Sequence, residues 1–171
     1  FLGAGAYRHF IPAVVDHLIS RSEFYSSYTP YQPEFSQGTL QAIFEFQTLI
    51  CQLTSMEVSN ASLYDGASAL GEGILLAYRA RRRKKIVTAD KVHPEYLKVA
   101  STLTSHLGIR IETVPSGAGG AADPDRIAGS LDAETAALVI QQPNFLGRLE
   151  EVEAMAEAAH RAGALLIVVI N

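Results

Sequence analysis

The run Ala164-Leu165-Leu166-Ile167-Val168-Val169-Ile170 contains no polar side chain and is rich in β-branched residues. A strand with one wet face alternates apolar and polar residues. An unbroken apolar run bounded by turn signals instead marks a strand covered on both faces, as in a parallel sheet. Working back from it, Gly163 separates the run from a helical stretch at Glu150 to Arg161, and Ala136 to Gln141 is a second apolar strand. Before that, Asp123-Pro124 begins a helix, Ile109 to Val114 reads as a strand, and Pro94 starts a helix that Gly108 ends. Lys85 to Ala89 is a further short strand. Strands alternating with helices in this way predict parallel β-α-β units with right-handed crossovers, and hence an α/β fold of three layers, α/β/α, with a largely parallel sheet. Its last strand, Ala164 to Ile170, is expected to be buried.

Upstream the pattern changes. Asp65-Gly66 opens a helix that carries Leu70, Ile74, Ala77 and Tyr78 on one face and ends in the cluster Arg79, Arg81, Arg82, Arg83, Lys84, Lys85. Cations are favoured at a helix C-terminus, so the cluster is expected to be a solvated helix end. From Ser36, a candidate N-cap, Leu40, Ile43, Phe44, Ile50 and Leu53 recur at helical spacing up to Thr54. Residues 1–35 lack sustained periodicity and hold a short helix near Pro12 to Arg21, with Pro12 near its first turn, then the Pro-bracketed segment Tyr28-Thr29-Pro30-Tyr31-Gln32-Pro33-Glu34. The division expected is an N-terminal arm and interface loop at 1–35, followed by a partial α/β domain at 36–171. The chain opens at Phe1 and reaches Asn171 directly after its last apolar run, so it is expected to be part of something longer.

Composition bounds the chemistry. A formal charge of −4 provides no general field for nucleic acid, and the single Cys51 excludes an internal disulfide framework and Cys-rich zinc sites. Cys51 itself reads as a small core residue. With a single cysteine a reducing, cytoplasmic setting fits best, and no run is long enough to span a bilayer. His9, His17, His93, His106 and His160 lack metal-ligand spacing. Ligands of open parallel sheets gather beyond the carboxyl ends of the strands. That edge should carry Asp90, His93, Gln141, Gln142, Asn144 and Asn171, beside the helix start Asp65-Gly66-Ala67-Ser68. Free N–H groups and the Ser68 hydroxyl at such a start suit a phosphate, but Asp65 puts a negative charge there and reads more simply as a cap. Glu72 and Gly73 stand where a nucleotide-binding loop needs Lys and Ser or Thr.

Several segments, in order along nearly the whole chain, carry a resemblance. They are Phe1-Leu2-Gly3-Ala4-Gly5, Tyr28 to Glu34 with Ser36-Gln37-Gly38, Asn60-Ala61-Ser62-Leu63-Tyr64-Asp65-Gly66-Ala67, Val92-His93-Pro94-Glu95-Tyr96 and Pro143-Asn144-Phe145-Leu146-Gly147. In combination they resemble the first-subunit branch of the glycine cleavage P-protein family. Arg148 after Gly147, and Ser68-Ala69-Leu70-Gly71 at the helix start, depart from the family pattern.

The resemblance implies the aspartate aminotransferase-like fold type I of pyridoxal phosphate enzymes, here an incomplete large domain. It implies a complex, a heterotetramer, that decarboxylates glycine and passes the aminomethyl group to the lipoyl arm of H-protein. The cofactor, pyridoxal phosphate, is then held by a lysine of the second subunit. In this chain no catalytic residue and no metal ligand is expected. Tyr28, Tyr31, Gln32, Glu34 and Gln37 are expected to line the substrate site or subunit interface, and Ser68, His93, Asn144 and Asn171 are candidates for a cofactor edge. Partners would be the second subunit, lipoylated H-protein and glycine, with no nucleic acid and no membrane. Two other readings compete: a purely structural oligomer surface without substrate contact, and an independent fold type I enzyme. The second needs a cofactor lysine beyond the last strand, whereas Lys84, Lys85, Lys91 and Lys98 all fall earlier. The 171-residue chain alone is therefore expected to form no Schiff base; borohydride treatment with pyridoxal phosphate followed by peptide mapping should find no single labelled lysine.

Overall fold

A computed structural model describes residues 4–5, 7–25 and 28–170. Asn171, a candidate for the cofactor edge, lies outside the described residues. The chain forms two compact units, Arg8–Ser62 and a second made of Phe1–Tyr7 with Leu63–Asn171. The long helix after Ser36, which the sequence reading joined to the sheet domain, belongs to the first unit.

The Arg8–Ser62 unit is helical. Pro12 stands at the N-cap rather than inside the first turn, ahead of α1, Ala13–Ile19. A break at Ser20 and Arg21 separates α1 from the single turn α2, Ser22–Tyr25. The 18-residue α3, Gln37–Thr54, follows Ser36 at the N-cap and ends at Ser55 in the left-handed region. None of these helices has a fully buried residue. Cys51 on α3 is half-buried, so it is not the core residue expected.

In the other unit, α4, Gly66–Arg81, is followed by β1, Lys85–Ala89, then α5, Pro94–Thr104, with a 3-10 turn over Ser105–Leu107, and β2, Arg110–Val114. Next come α6, Pro124–Ser130, β3, Thr135–Gln142, α7, Val152–Arg161, and β4, Leu165–Ile170. The strands are all parallel in the order β2-β1-β3-β4. Alternation along β3 assigns its two faces. Ala137 and Val139 join Leu70, Ile74 and Ala77 of α4 and Ala100 of α5, while Leu138 and Ile140 join Ile127 of α6 and Met155 and Ala159 of α7. The three layers read from the sequence are those present. The order turns back at β1: the chain first moves out to β2, then returns to the other side of β1 for β3 and β4. A change of direction with helices on opposite faces is what right-handed crossovers demand.

Two further expectations are corrected. First, β4 is half-buried along its length and Ile170 is 61% exposed, because among the described residues β4 is an edge strand paired with β3 alone. Second, the basic cluster divides. Arg79, Arg81, Arg82 and Lys84 are exposed as expected, but Arg83 turns inward and donates to the carbonyls of Thr135 (3.0 Å), Ala162 (3.2 Å) and Gly163 (3.2 Å). It thereby caps the last turn of α7, where the helix dipole favours a cation. Lys85 is buried at the sheet margin, 2.8 Å from Asp132 and 3.3 Å from Glu112. The Asp132 hydrogen bond, outweighing burial, holds its ammonium above the usual lysine value.

Leu138 is fully buried in the middle of β3. Leu138→Ala should lower unfolding stability by about 2–5 kcal/mol, read as a fall in the denaturant midpoint at constant slope.

Candidate functional site

The reversal at β1 places a crevice beyond the carboxyl ends of β1 and β3, the position where open parallel sheets bind ligands. His93 lies there as the N-cap of α5, its Nδ1 accepting from the Glu95 N–H at 3.2 Å. Its backbone N–H donates to Gln141 Oε1 at 2.7 Å, which ties the loop after β1 to the end of β3. Being three residues apart at a helix start, the rings of His93 and Tyr96 stack, with centroids 4.5 Å apart and planes inclined by 14°. Phe145 meets His93 edge-on at 4.9 Å.

Tyr96 also reaches α4. A Cβ on Gly66 would stand 2.7 Å from the Tyr96 ring, so this approach requires glycine. The Tyr7 side chain lies close enough to Tyr96 to act on its phenol, while the Ala4 N–H donates to the Phe145 carbonyl at 2.7 Å. Burial first, then Tyr7 and the Asp65 carboxylate, push the Tyr96 phenol above its ordinary pKa. The phenol therefore stays neutral.

The polar groups of this edge are already engaged. Asp65 accepts from the Ser68 N–H at 2.7 Å, so Ser68 sits in a capped helix start. Asn144, 1% exposed, donates to Gly120 O (2.9 Å) and Glu150 Oε1 (2.6 Å) and accepts from the N–H groups of Leu146 (3.0 Å) and Arg148 (3.1 Å). That fills every hydrogen-bonding position of its amide within the loop. Glu150 in turn accepts from the Ala122 N–H at 2.8 Å, and its own N–H donates to Gln142 Oε1 at 2.8 Å. At the end of β1, Asp90 pairs with Lys91 at 2.7 Å and accepts from the Ser116 hydroxyl. Burial raises the Asp90 pKa, but these hydrogen bonds outweigh it and hold the carboxyl below its usual range. The sequence reading named Ser68, His93 and Asn144 but not the rings that fill the crevice. The signal was the His93-to-Tyr96 spacing inside a motif already singled out.

The loop candidates lie in the Arg8–Ser62 unit. Tyr28 is 90% exposed and Tyr31 77%, with ring centroids 6.5 Å apart. The loop holds itself: the Tyr31 N–H donates to Thr29 O at 2.8 Å, and the N–H groups of Phe35 and Ser36 both donate to Gln32 O at 3.0 Å. Gln32, Glu34 and Gln37 are exposed, and Gln37 Nε2 donates to Glu34 O at 3.4 Å. His9, His17, His106 and His160 are exposed surface residues. Among the described residues no cluster could hold a metal ion, and no helix is long and apolar enough to cross a membrane.

A family profile described as glycine cleavage system P-protein matches residues 1–171. The chain belongs to that family. The probable glycine dehydrogenase (decarboxylating) subunit 1 of Thermomicrobium roseum is 56% identical over 169 residues, which are 98% of this chain and 38% of the relative. A crystal structure of glycine decarboxylase (P-protein) of the glycine cleavage system, in inhibitor-bound form, is similar with a TM-score of 0.91 at 47% identity, over 100% of this chain and 38% of that one. Mouse CSAD, at 15% identity and a TM-score of 0.73 over 91% of this chain and 36% of its own, shares the fold alone. The chain thus spans well under half the length of the P-protein relatives it matches, and the resemblance read from its motifs holds across all of it.

Pyridoxal phosphate does not fit the edge described here. A phosphate at the start of α4 would meet the Asp65 carboxylate, and the Tyr96 ring stands against Gly66. The four lysines offer no free amine in the crevice: Lys85, Lys91 and Lys98 are ion-paired, and Lys84 is exposed at the end of α4.

The Ser68 N–H is the first cause holding the Asp65 carboxyl below its ordinary value. A depressed pKa contributes stability that is complete above the unfolded value and is lost as pH falls through the folded one. Asp65→Ala should therefore lower the thermal midpoint at neutral pH, and the gap from wild type should narrow once pH falls below about 3.9. A gap independent of pH would show that the charge contributes nothing.

Proposed function

We propose that the chain belongs to the first subunit of the decarboxylating glycine dehydrogenase and completes the active site of a second, lysine-bearing subunit. In this reading the complex decarboxylates glycine with pyridoxal phosphate and transfers the aminomethyl group to the lipoyl arm of H-protein. Family membership over the whole chain supports the reaction. The exposed Tyr28–Tyr31 loop carries the assignment of a role, because two phenols held in water by a self-bonded backbone are poor packing residues and good contact residues.

In this role the loop binds and orients. Its prolines and internal hydrogen bonds leave little entropy to lose on docking, and each tyrosine hydroxyl can donate to a carboxylate or a phosphate oxygen. Gln32 and Gln37 add amide donors, and Glu34, with its carbonyl held by Gln37, braces the turn. Ser68, His93 and Asn144 act in this reading by holding the crevice of their own unit together rather than by touching cofactor.

One observation favours the second reading, an oligomer surface without substrate contact. Phe46, Leu49 and Leu53 share one face of α3 and are 39%, 56% and 81% exposed, and apolar side chains grouped in this way mark surfaces that other proteins cover.

The readings part on Tyr28→Phe and Tyr31→Phe in the assembled complex. If either hydroxyl bonds substrate or cofactor, glycine–bicarbonate exchange should fall with assembly intact, by the loss of about 0.5–1.5 kcal/mol, roughly two- to tenfold in rate. Normal exchange per assembled complex in both variants would exclude the hydroxyls from catalysis and leave the oligomer surface as their role.

A further inference from the structure

Four aromatic rings, Tyr7, His93, Tyr96 and Phe145, come from three separate segments and meet beyond β1 and β3, where the sheet order reverses. Their arrangement has the parts of a ring-binding site. A stacking partner, His93, is fixed by Gln141 at its N–H and by the Glu95 N–H at Nδ1. A residue without a side chain, Gly66, opens the start of α4 to a flat group. Between them lies a side chain of this same chain.

We propose that Tyr96, latched by Tyr7, is a built-in plug: its ring occupies the position an aromatic phosphate ligand would take at this chain's own switch point and closes that edge to pyridoxal phosphate. The proposal rests on the reading that the cofactor belongs to the second subunit, and it supplies the reason this edge takes none. Asp65 completes the exclusion, its carboxylate engaging the Ser68 N–H that would otherwise face a phosphate. The latch is short. Ala4 and Gly5 adopt φ of 72° and 91°, and a Cβ on Gly5 would stand 2.5 Å from the Tyr7 ring, so glycine is needed for the chain to fold back. The Ala4 bond to the Phe145 carbonyl then fixes the latch to the loop after β3.

A gap left by removing a stacked ring takes up a small ring that replaces it. In the full-length chain assembled with its second subunit and saturated with cofactor, Tyr96→Ala should lose thermal stability and regain it on addition of p-cresol, the missing side chain as a free molecule, while wild type does not respond. In the double variant Asp65→Ser, Tyr96→Ala, the capping hydroxyl is kept and the charge removed. Pyridoxine 5′-phosphate, which has the ring and phosphate but no aldehyde, should then bind at one added site per chain, at least about tenfold tighter than to wild type. A folded Tyr96→Ala protein indifferent to p-cresol, or wild type binding pyridoxine 5′-phosphate as well as the double variant, overturns the plug. Should Tyr96→Ala fail to fold, the double variant Asp65→Ser, Tyr96→Val provides the test: it should bind pyridoxine 5′-phosphate at least about tenfold tighter than wild type, and equal binding overturns the plug. None of these readouts involves exchange activity, so failure here is separable from failure of the Tyr28 and Tyr31 assignment.

Discussion

The unit that holds the sheet depends on one constraint: β1 and β3 must be covered on both faces at once. All five residues of β1 are buried, as are seven of the eight in β3. A strand of that kind has no wet side, so helices must lie above and below it, and each connection has to climb over the sheet and return parallel. The layering, the crossovers and the reversal at β1 follow from this. So does the crevice, since the loops leaving β1 and β3 at a reversal depart to opposite faces and open a gap between them.

The same constraint explains what could be read without coordinates. Two-sided burial leaves continuous apolar runs, so the strand read at Lys85–Ala89 is present residue for residue and that at Ala136–Gln141 grows by one residue at each end. Helix starts were legible where the chemistry is local: Asp65, Pro94, and Asp123 with Pro124 begin their helices as their types suggest, whereas the cap made by His93 was not read. What stayed hidden depends on distant partners. Arg83 looks like any member of a basic run, and only carbonyls 52 to 80 residues away draw it inward. The run at β4 looks as buried as β3, because an apolar sequence does not state whether a neighbour lies on its far side.

The candidate site divides along similar lines. Polar residues at the strand ends were recognised by position, but position does not separate a group waiting for a ligand from one bound to its own loop. Asn144 and Gln141 have neighbours for their amides and build the edge. The Pro-bracketed tyrosines have none of that enclosure; the short bonds of their loop are all backbone or nearly so, and the phenols are left outside. A stiff, outward-facing element attached to a rigid scaffold is the usual home of recognition, and such an element can be read from sequence when prolines mark it.

The half-covered β4 has a consequence for handling the molecule. Among the described residues only one side of its backbone is paired, to β3, so the other side offers a row of N–H and C=O groups flanked by Leu166, Val168 and Ile170, with no charge or proline within the strand. Protective devices of edge strands, such as lysines, bulges and prolines, are missing from it. Prepared by itself, the 171-residue chain therefore presents this flank as a template for cross-strand recruitment, which its net charge of −4 does little to oppose because no charge lies within the strand.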